Sequence, residues 1–177
     1  MHLHRRRPPN PYDYLPDVPS FTVTSPDITH ESRLHLPQVH TGGGGDNTSP
    51  DLSWSGYPAE TKSFAVTVFD PDAPTLCGWW HWQVVDIPAD ITHLERGAGD
   101  GTGLPAQAVQ MRNDYGDPGF GGAGPPPGDA DHRYYFVVHA LDVEQLGLGP
   151  DTTNAVVGFH LTAHALARAT IVCTYSH

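Results

Sequence analysis

Basic residues are scarce in this chain. Nine lysines and arginines stand against 20 aspartates and glutamates, the formal charge is −11, and Lys62 is the only lysine. That balance leaves no basic surface able to neutralise a run of phosphates and argues against a nucleic-acid partner. Cysteine is nearly absent too. Cys77 and Cys173 are too few for a disulfide framework and lack metal-type spacing, so they read as two reduced structural thiols. No apolar run is long enough to span a membrane, and Pro8, Pro9 and Pro11 follow the basic start where a signal peptide would need its apolar stretch. The expectation is a cytoplasmic protein without integral membrane association.

Glycine and proline, by contrast, are abundant. With 19 and 18 copies in 177 residues they are too many for a helical bundle and suit strands joined by long loops, while 38% apolar content is enough for a packed core. The reading is one domain of mostly β structure, a sandwich, over residues 20–177. Residues 1–19 form a Pro- and Arg-rich arm, lying on the surface or mobile, whose order would need a partner.

Along the chain, residues 21–24 and 52–54 read as short strands, with another over 34–37. Residues 62–70 carry bulk on both faces, as a central strand should. Residues 79–87 form a second strand, in which a period of two aims His81 with Gln83 and Val85, away from Trp82. The same period sends Trp80 and Trp82 together into the core and leaves Trp79 to line a pocket. Residues 88–131 are dominated by loop, with a turn of helix expected near 91–95, and so long a connection is a functional suspect. Residues 132–143 form the longest β run and place His132, Tyr134 and Phe136 on one side. Apolar spacings of three and four predict an amphipathic helix over 153–169, followed by a closing strand over 169–175.

Two segments concentrate polar chemistry. One runs from Asp70-Pro71-Asp72-Ala73-Pro74 to His81; the other runs from the glycine- and proline-rich stretch 121–128 to His132-Arg133-Tyr134. Glycine permits close backbone approach, proline freezes loop shape, and histidine supplies an N–H donor able to carry charge near neutral pH. An oxyanion is the natural occupant of such a pocket. Within it one carboxylate is expected to accept a proton from His81 or His132, while the other receives a ligand's hydroxyl or ammonium. The glycine run, fixed by the prolines after it, is expected to present backbone N–H groups. His160 and His164 have the spacing of a helical metal pair, but no glutamate lies between them and no third ligand is in reach, so they read as a surface or packed pair.

These segments resemble the phosphatidylethanolamine-binding protein family, in its bacterial branch similar to the Raf kinase inhibitor protein. The likeness extends through Asp46-Asn47-Thr48-Ser49-Pro50, Leu52-Ser53-Trp54, Gly78 to Trp82, Asn113-Asp114-Tyr115 and Ala140-Leu141-Asp142, over residues 20–175. It implies an antiparallel Greek-key β-sandwich with a few peripheral helices, and a pocket for phosphate-type anions or phospholipid head groups. Carried over by position, the ligand-binding residues are Asp70, Asp72, Pro74, His81, Gly124, His132 and Tyr134, with Tyr115 as a wall. The family pattern also implies a cis bond at Ala73-Pro74, a homodimer, and regulation of a kinase or protease. The chain departs from that pattern in having Gly122-Ala123-Gly124 where bacterial relatives often carry a cysteine before the prolines, in the added acids Asp129 and Asp131, and in residues 1–19.

Three functions follow. The first is a binding module needing no cofactor and no metal. The second, an alternative in the same pocket, is a small hydrolase using a His/Asp pair, although no Gly-x-Ser-x-Gly elbow is present. The third is a protein-directed inhibitor acting through its loops and arm.

Overall fold

The computed structural model describes residues 6–177. Two antiparallel sheets pack face to face. The smaller contains β1 (Thr22–Thr24), β2 (Leu52–Ser55) and β5 (His93–Leu94) in the order β1-β2-β5. The larger contains β3 (Ser63–Asp70), β4 (Trp79–Pro88), β6 (Val109–Gln110), β7 (His132–Leu141) and β8 (Ala165–Tyr175), in the order β6-β4-β3-β7-β8. Strand β3 is central, flanked by β4 and β7, and every one of its residues is buried. That is why both of its faces carry apolar side chains.

The main core fills the space between the sheets, joining Leu52, Trp54 and Leu94 to Phe64, Val66, Trp82, Phe136 and Ile171. A smaller cluster lies on the outer face of the large sheet. There the helix α1 (Asn154–His164) lays Val157 and Leu161 over Ala65, Val85, Met111 and Leu141. No described helix is long and apolar enough to cross a membrane.

Three local expectations give way to tertiary pairing. The helix stops at His164, because 165–169 are drawn into the ladder with β7, where Ala165 pairs with Leu141 and Ala169 with Val138. Residues 93–94 are a strand edge paired with Leu52 and Ser53 rather than a helical turn. The strand expected over 34–37 is replaced by a 3-10 turn, Leu36–Gln38, whose proline sits in the first turn where its missing N–H costs nothing.

The described part of the arm crosses the outer face of β7 and β8. Asn10 caps a 3-10 turn at Pro11–Tyr14, and Tyr12 packs against Tyr135 and His139 at 6.0 and 6.3 Å between ring centroids. Arg133 donates to the Pro8 carbonyl, and the Arg168 amide donates to Pro19. Cys77 is exposed and Cys173 buried, both free, and burial pushes the Cys173 thiol up to about 11.

Candidate functional site

The pocket lies where β3 ends, β4 begins and the 113–128 loops cross their tips. It encloses about 200 Å³ and is lined by Asp70, Pro74, Trp79, His81, Tyr115 and His132, with Gly124 at its edge. A β-bulge builds it. Val68 pairs with Trp82 but Phe69 pairs with Trp80, so His81 is the extra residue in β4. The bulge breaks the period of two. It turns His81 onto the inner face beside Trp82, and its ring meets Tyr134 edge-on at 5.2 Å. Trp82 is fully buried in the inner core, while Trp80 is thrown to the outer face against Phe69. The expected grouping of His81 with Gln83 and Val85, and of Trp80 with Trp82, is therefore corrected. Trp79 lines the pocket and meets Tyr115 at 5.1 Å.

His132 is 1% exposed, with both ring nitrogens held by carboxylates: Nδ1 lies 2.7 Å from Asp70 Oδ2 and Nε2 lies 3.0 Å from Asp129 Oδ2. Burial works against the charged ring, but the two carboxylates outweigh it and hold its pKa above the ordinary value. His132 is thus an imidazolium bracketed by anions. The expectation that it aims an N–H at a ligand is corrected, because Asp70 and Asp129 take both donors.

His81 has the opposite character. Its Nδ1 donates to the Gly121 carbonyl at 2.8 Å, and its Nε2 is buried without a partner. Burial pushes its pKa below the ordinary value, although Asp70 and the bonds to the 121–122 backbone pull the other way. In the neutral ring Nε2 is an acceptor. Trp79 Nε1 on this side is also buried without a partner, and the Tyr134 hydroxyl is met only by the Gly124 backbone. Tyr134 backs the pocket behind His81, and burial and Asp70 both push its hydroxyl pKa up, so it stays an O–H donor.

Asp72 lies off the pocket. Its carboxylate clamps Arg133 through bonds of 2.7 Å from Nε and 2.9 Å from Nη2, and it also accepts the Arg133 amide at 2.9 Å. It lines a separate small recess with Arg7, Pro8, Asp129 and Asp131. The role of receiving a ligand's hydroxyl or ammonium is therefore corrected for Asp72. Asp70 keeps the turn, accepting the Asp72 amide at 2.8 Å. Ala73-Pro74 is trans, as is every described peptide bond. The turn is closed by this Asp70 contact and by a Thr75 amide to Ala73 carbonyl bond, which corrects the expected cis bond.

The glycine run also differs from expectation. The amides of Gly121, Gly122 and Ala123 donate to His81 O, Asn47 Oδ1 and Gln38 O, so they face the fold and not a ligand. The carbonyls of Gly121 and Gly122 serve the site instead, accepting from His81 and from the Tyr115 hydroxyl. Glycine is required for contact. A Cβ on Gly122 would stand 2.3 Å from the Val39 carbonyl carbon, and one on Gly124 would stand 2.9 Å from the Tyr115 hydroxyl.

The sequence assigns no site role to four contributors, although Asp129 is an added acid and Arg133 and Asn47 stand in the motifs. Asp129 stands three residues before His132 and caps its second nitrogen. Arg133 occupies Asp72. His40 stacks on Tyr115 at 4.5 Å and opens, with His177 and Pro125 to Pro127, an outer vestibule of about 460 Å³. Asn47, in the left-handed region at φ 53°, reaches Gly122 across 75 residues. Only Asp129 left a readable signal, an Asp-x-x-His spacing. The His160 and His164 rings stack at 6.4 Å, His164 Nδ1 lies 2.8 Å from Asp142, and no metal-binding cluster is found among the described residues.

The model of the phosphatidylethanolamine-binding protein family matches residues 24–176. The chain is 52% identical over 160 residues to the UPF0098 protein YbcL of Escherichia coli K12, covering 88% of this chain and 87% of that protein. It is 46% identical over 157 residues to YbhB of the same organism, covering 87% and 99%. A crystal structure of E. coli YbcL, described as a new member of the mammalian PEBP family, superposes with a TM-score of 0.86 at 51% identity over 89% of this chain and 99% of that one. The homologue CT736 from Chlamydia trachomatis gives a TM-score of 0.73 at 31% identity, over 89% and 98%. With a family match across nearly the whole chain and relatives this similar, the protein belongs to the phosphatidylethanolamine-binding protein family.

Proposed function

We propose that this protein is a binding module that holds a phosphomonoester anion, such as phosphoethanolamine, in the His81 pocket. The observation that carries the reading is a pair of buried, unpartnered polar atoms on residues that line the pocket, Trp79 Nε1 and His81 Nε2. Each is costly to bury without a hydrogen bond, about 1–3 kcal/mol on the mutational scale, and together they offer one donor and one acceptor to a tetrahedral oxygen cluster.

The neighbouring charges refine the ligand. The pocket faces Asp70, His81 is neutral, and the His132 charge is already answered by Asp70 and Asp129, so a bare dianion meets repulsion. A monoprotonated phosphate ester fits, because its P–O–H donates to His81 Nε2 while another of its oxygens accepts from Trp79 Nε1. An ammonium on the same molecule, as in phosphoethanolamine, would complement the Asp70 side. Hydrolysis fits less well. His132, taken on both nitrogens by Asp70 and Asp129, has no lone pair to offer as a general base, and His81, which has one, is oriented by the Gly121 carbonyl rather than by the carboxylate of a His/Asp pair.

The test is calorimetric titration with phosphoethanolamine. A phosphate ester loses its second proton near pH 6, so affinity is expected to fall by more than about tenfold between pH 6 and pH 8. Trp79→Phe keeps an aromatic wall and removes an Nε1 without a partner, so it should leave the protein as stable as before or more so while weakening binding about tenfold. His81→Asn keeps a donor for Gly121 and deletes Nε2, and should abolish binding. Absence of saturable binding at both pH values, or equal affinity in these variants, would refute the proposal.

A further inference from the structure

On the outer face of the large sheet, opposite the His81 pocket, a second cavity of about 430 Å³ opens between the arm and α1. Its floor is Phe69, on the outer face of β3, and Trp80, the side chain the β4 bulge expelled from the inner core. Tyr12 and Leu15 of the arm form one wall, and Phe159 of α1, 71% exposed, forms the other. The volume falls in the range of small-molecule sites. Apolar walls alone name no occupant, but one arginine, Arg168, is the only charged side chain among the described residues that line this cavity.

Arg168 reaches the cavity from β8. Every other described arginine from position 33 onward is paired with a carboxylate: Arg33 with Asp131, Arg96 with Asp27, Arg112 with Asp151 and Arg133 with Asp72. Arg168 has no carboxylate among the described residues. Its guanidinium lies 5.7 Å from the Tyr12 ring centre, one nitrogen makes a 3.3 Å contact with the Pro16 carbonyl, and its Nε is buried without a partner. In a chain with 20 acids and nine bases, a half-buried arginine with a buried Nε and no acid is a conspicuous exception. His139 adds a second unmet group. Its Nε2 meets the Thr67 hydroxyl at 3.1 Å, and its Nδ1 is buried with no partner.

We propose that this cavity is a second ligand site, for an amphipathic monocarboxylate whose apolar body lies on Phe69, Trp80 and Phe159 and whose carboxylate pairs with Arg168. A carboxylate offers the planar acceptor pair that a guanidinium matches bidentately, and it would supply the acid this arginine lacks. The apolar walls exclude a small hydrophilic anion, which would gain nothing there for its lost hydration. The site is independent of the His81 pocket, since the five-stranded sheet separates them.

Decanoate is the probe, with decanol as the uncharged control, both titrated by calorimetry below their aggregation concentrations into the full chain. One saturable decanoate site per chain is expected, with decanol at least tenfold weaker. Arg168→Met keeps the aliphatic stem and should cut decanoate affinity at least tenfold while leaving decanol unchanged. Phe159→Ser alters only an exposed wall and should weaken both ligands, with phosphoethanolamine binding at the inner pocket intact. Failure of decanoate to saturate, or equal decanoate affinity in Arg168→Met, would overturn the proposal. So would a dimer in sedimentation that excludes decanoate and dissociates in Phe159→Ser, since the cavity would then be covered by a second copy.

Discussion

At the scale of single residues the sharpest contrast is between the two histidines of the pocket. His132 is charged because Asp70 and Asp129 bracket it; His81 is neutral because burial dominates. Removing the charge from between two buried carboxylates leaves them facing each other, so His132→Leu should cost about 3 kcal/mol or more in urea denaturation at pH 6. A loss below about 1 kcal/mol would contradict the ion-pair geometry. The pH dependence has a fixed sign. A histidine with a raised folded pKa adds stability that is complete below its unfolded value of about 6.5 and is lost as pH rises through the folded value. The alkaline decline should therefore flatten in His132→Leu. His139 acts at the other end. Burial presses its pKa down to about 3, so its contribution is present above about 6.5 and falls by up to about 1.4 kcal/mol per pH unit as the solution is acidified toward 3. His139→Gln should shallow that acid limb.

At the scale of elements, the site depends on where strands break their own rules. The bulge that presents His81 and the close crossing of the 121–124 loop over Val39 and His40 are both backbone events. Gly122→Ala places a methyl 2.3 Å from one backbone carbon and 2.5 Å from the His40 nitrogen. Neither can yield without breaking the Val39 and Ala123 bridge, so about 2 kcal/mol or more of destabilisation is expected in thermal or denaturant melts. These features also mark the limit of what the amino-acid order could disclose. The buried strands β3, β4 and β7 were legible from apolar periodicity, and His81, His132, Tyr115 and Gly124 from their motif setting. The face of His81 was not, because one inserted residue inverts every later side chain and periodicity cannot register it. The length of α1 was misjudged because Ala165 to Ala169 suit either a helix or a ladder, and only the partner strand β7 decides. The occupation of Asp72 by Arg133 was hidden for the same reason: the two are 61 residues apart and meet through pairing of β3 with β7.

At the scale of the whole molecule, the large sheet carries different chemistry on its two sides. The inner side closes a small polar pocket at one end of the sandwich; the outer side holds an apolar cavity completed by the arm. The arm is attached by the Arg133 bond to Pro8, the Arg168 bond to Pro19 and the Tyr12 ring, and it buries side-chain surface over β7 and β8. Deleting residues 1–19 should lower stability by roughly 1.5–3 kcal/mol, the magnitude for uncovering one large side chain. It should also abolish decanoate binding while phosphoethanolamine still binds. Loss of phosphoethanolamine binding in the truncated chain would show instead that the two sides are coupled.

The most direct test of the account is side-chain nitrogen NMR of the histidines at pH 7 during titration with phosphoethanolamine. His132 should be protonated on both nitrogens throughout. His81 should begin as the neutral tautomer carrying its proton on Nδ1, and its Nε2 resonance alone should shift toward the hydrogen-bonded position on saturation. A charged His81 in the free protein, a neutral His132, or an Nε2 signal that does not move as ligand binds would contradict it.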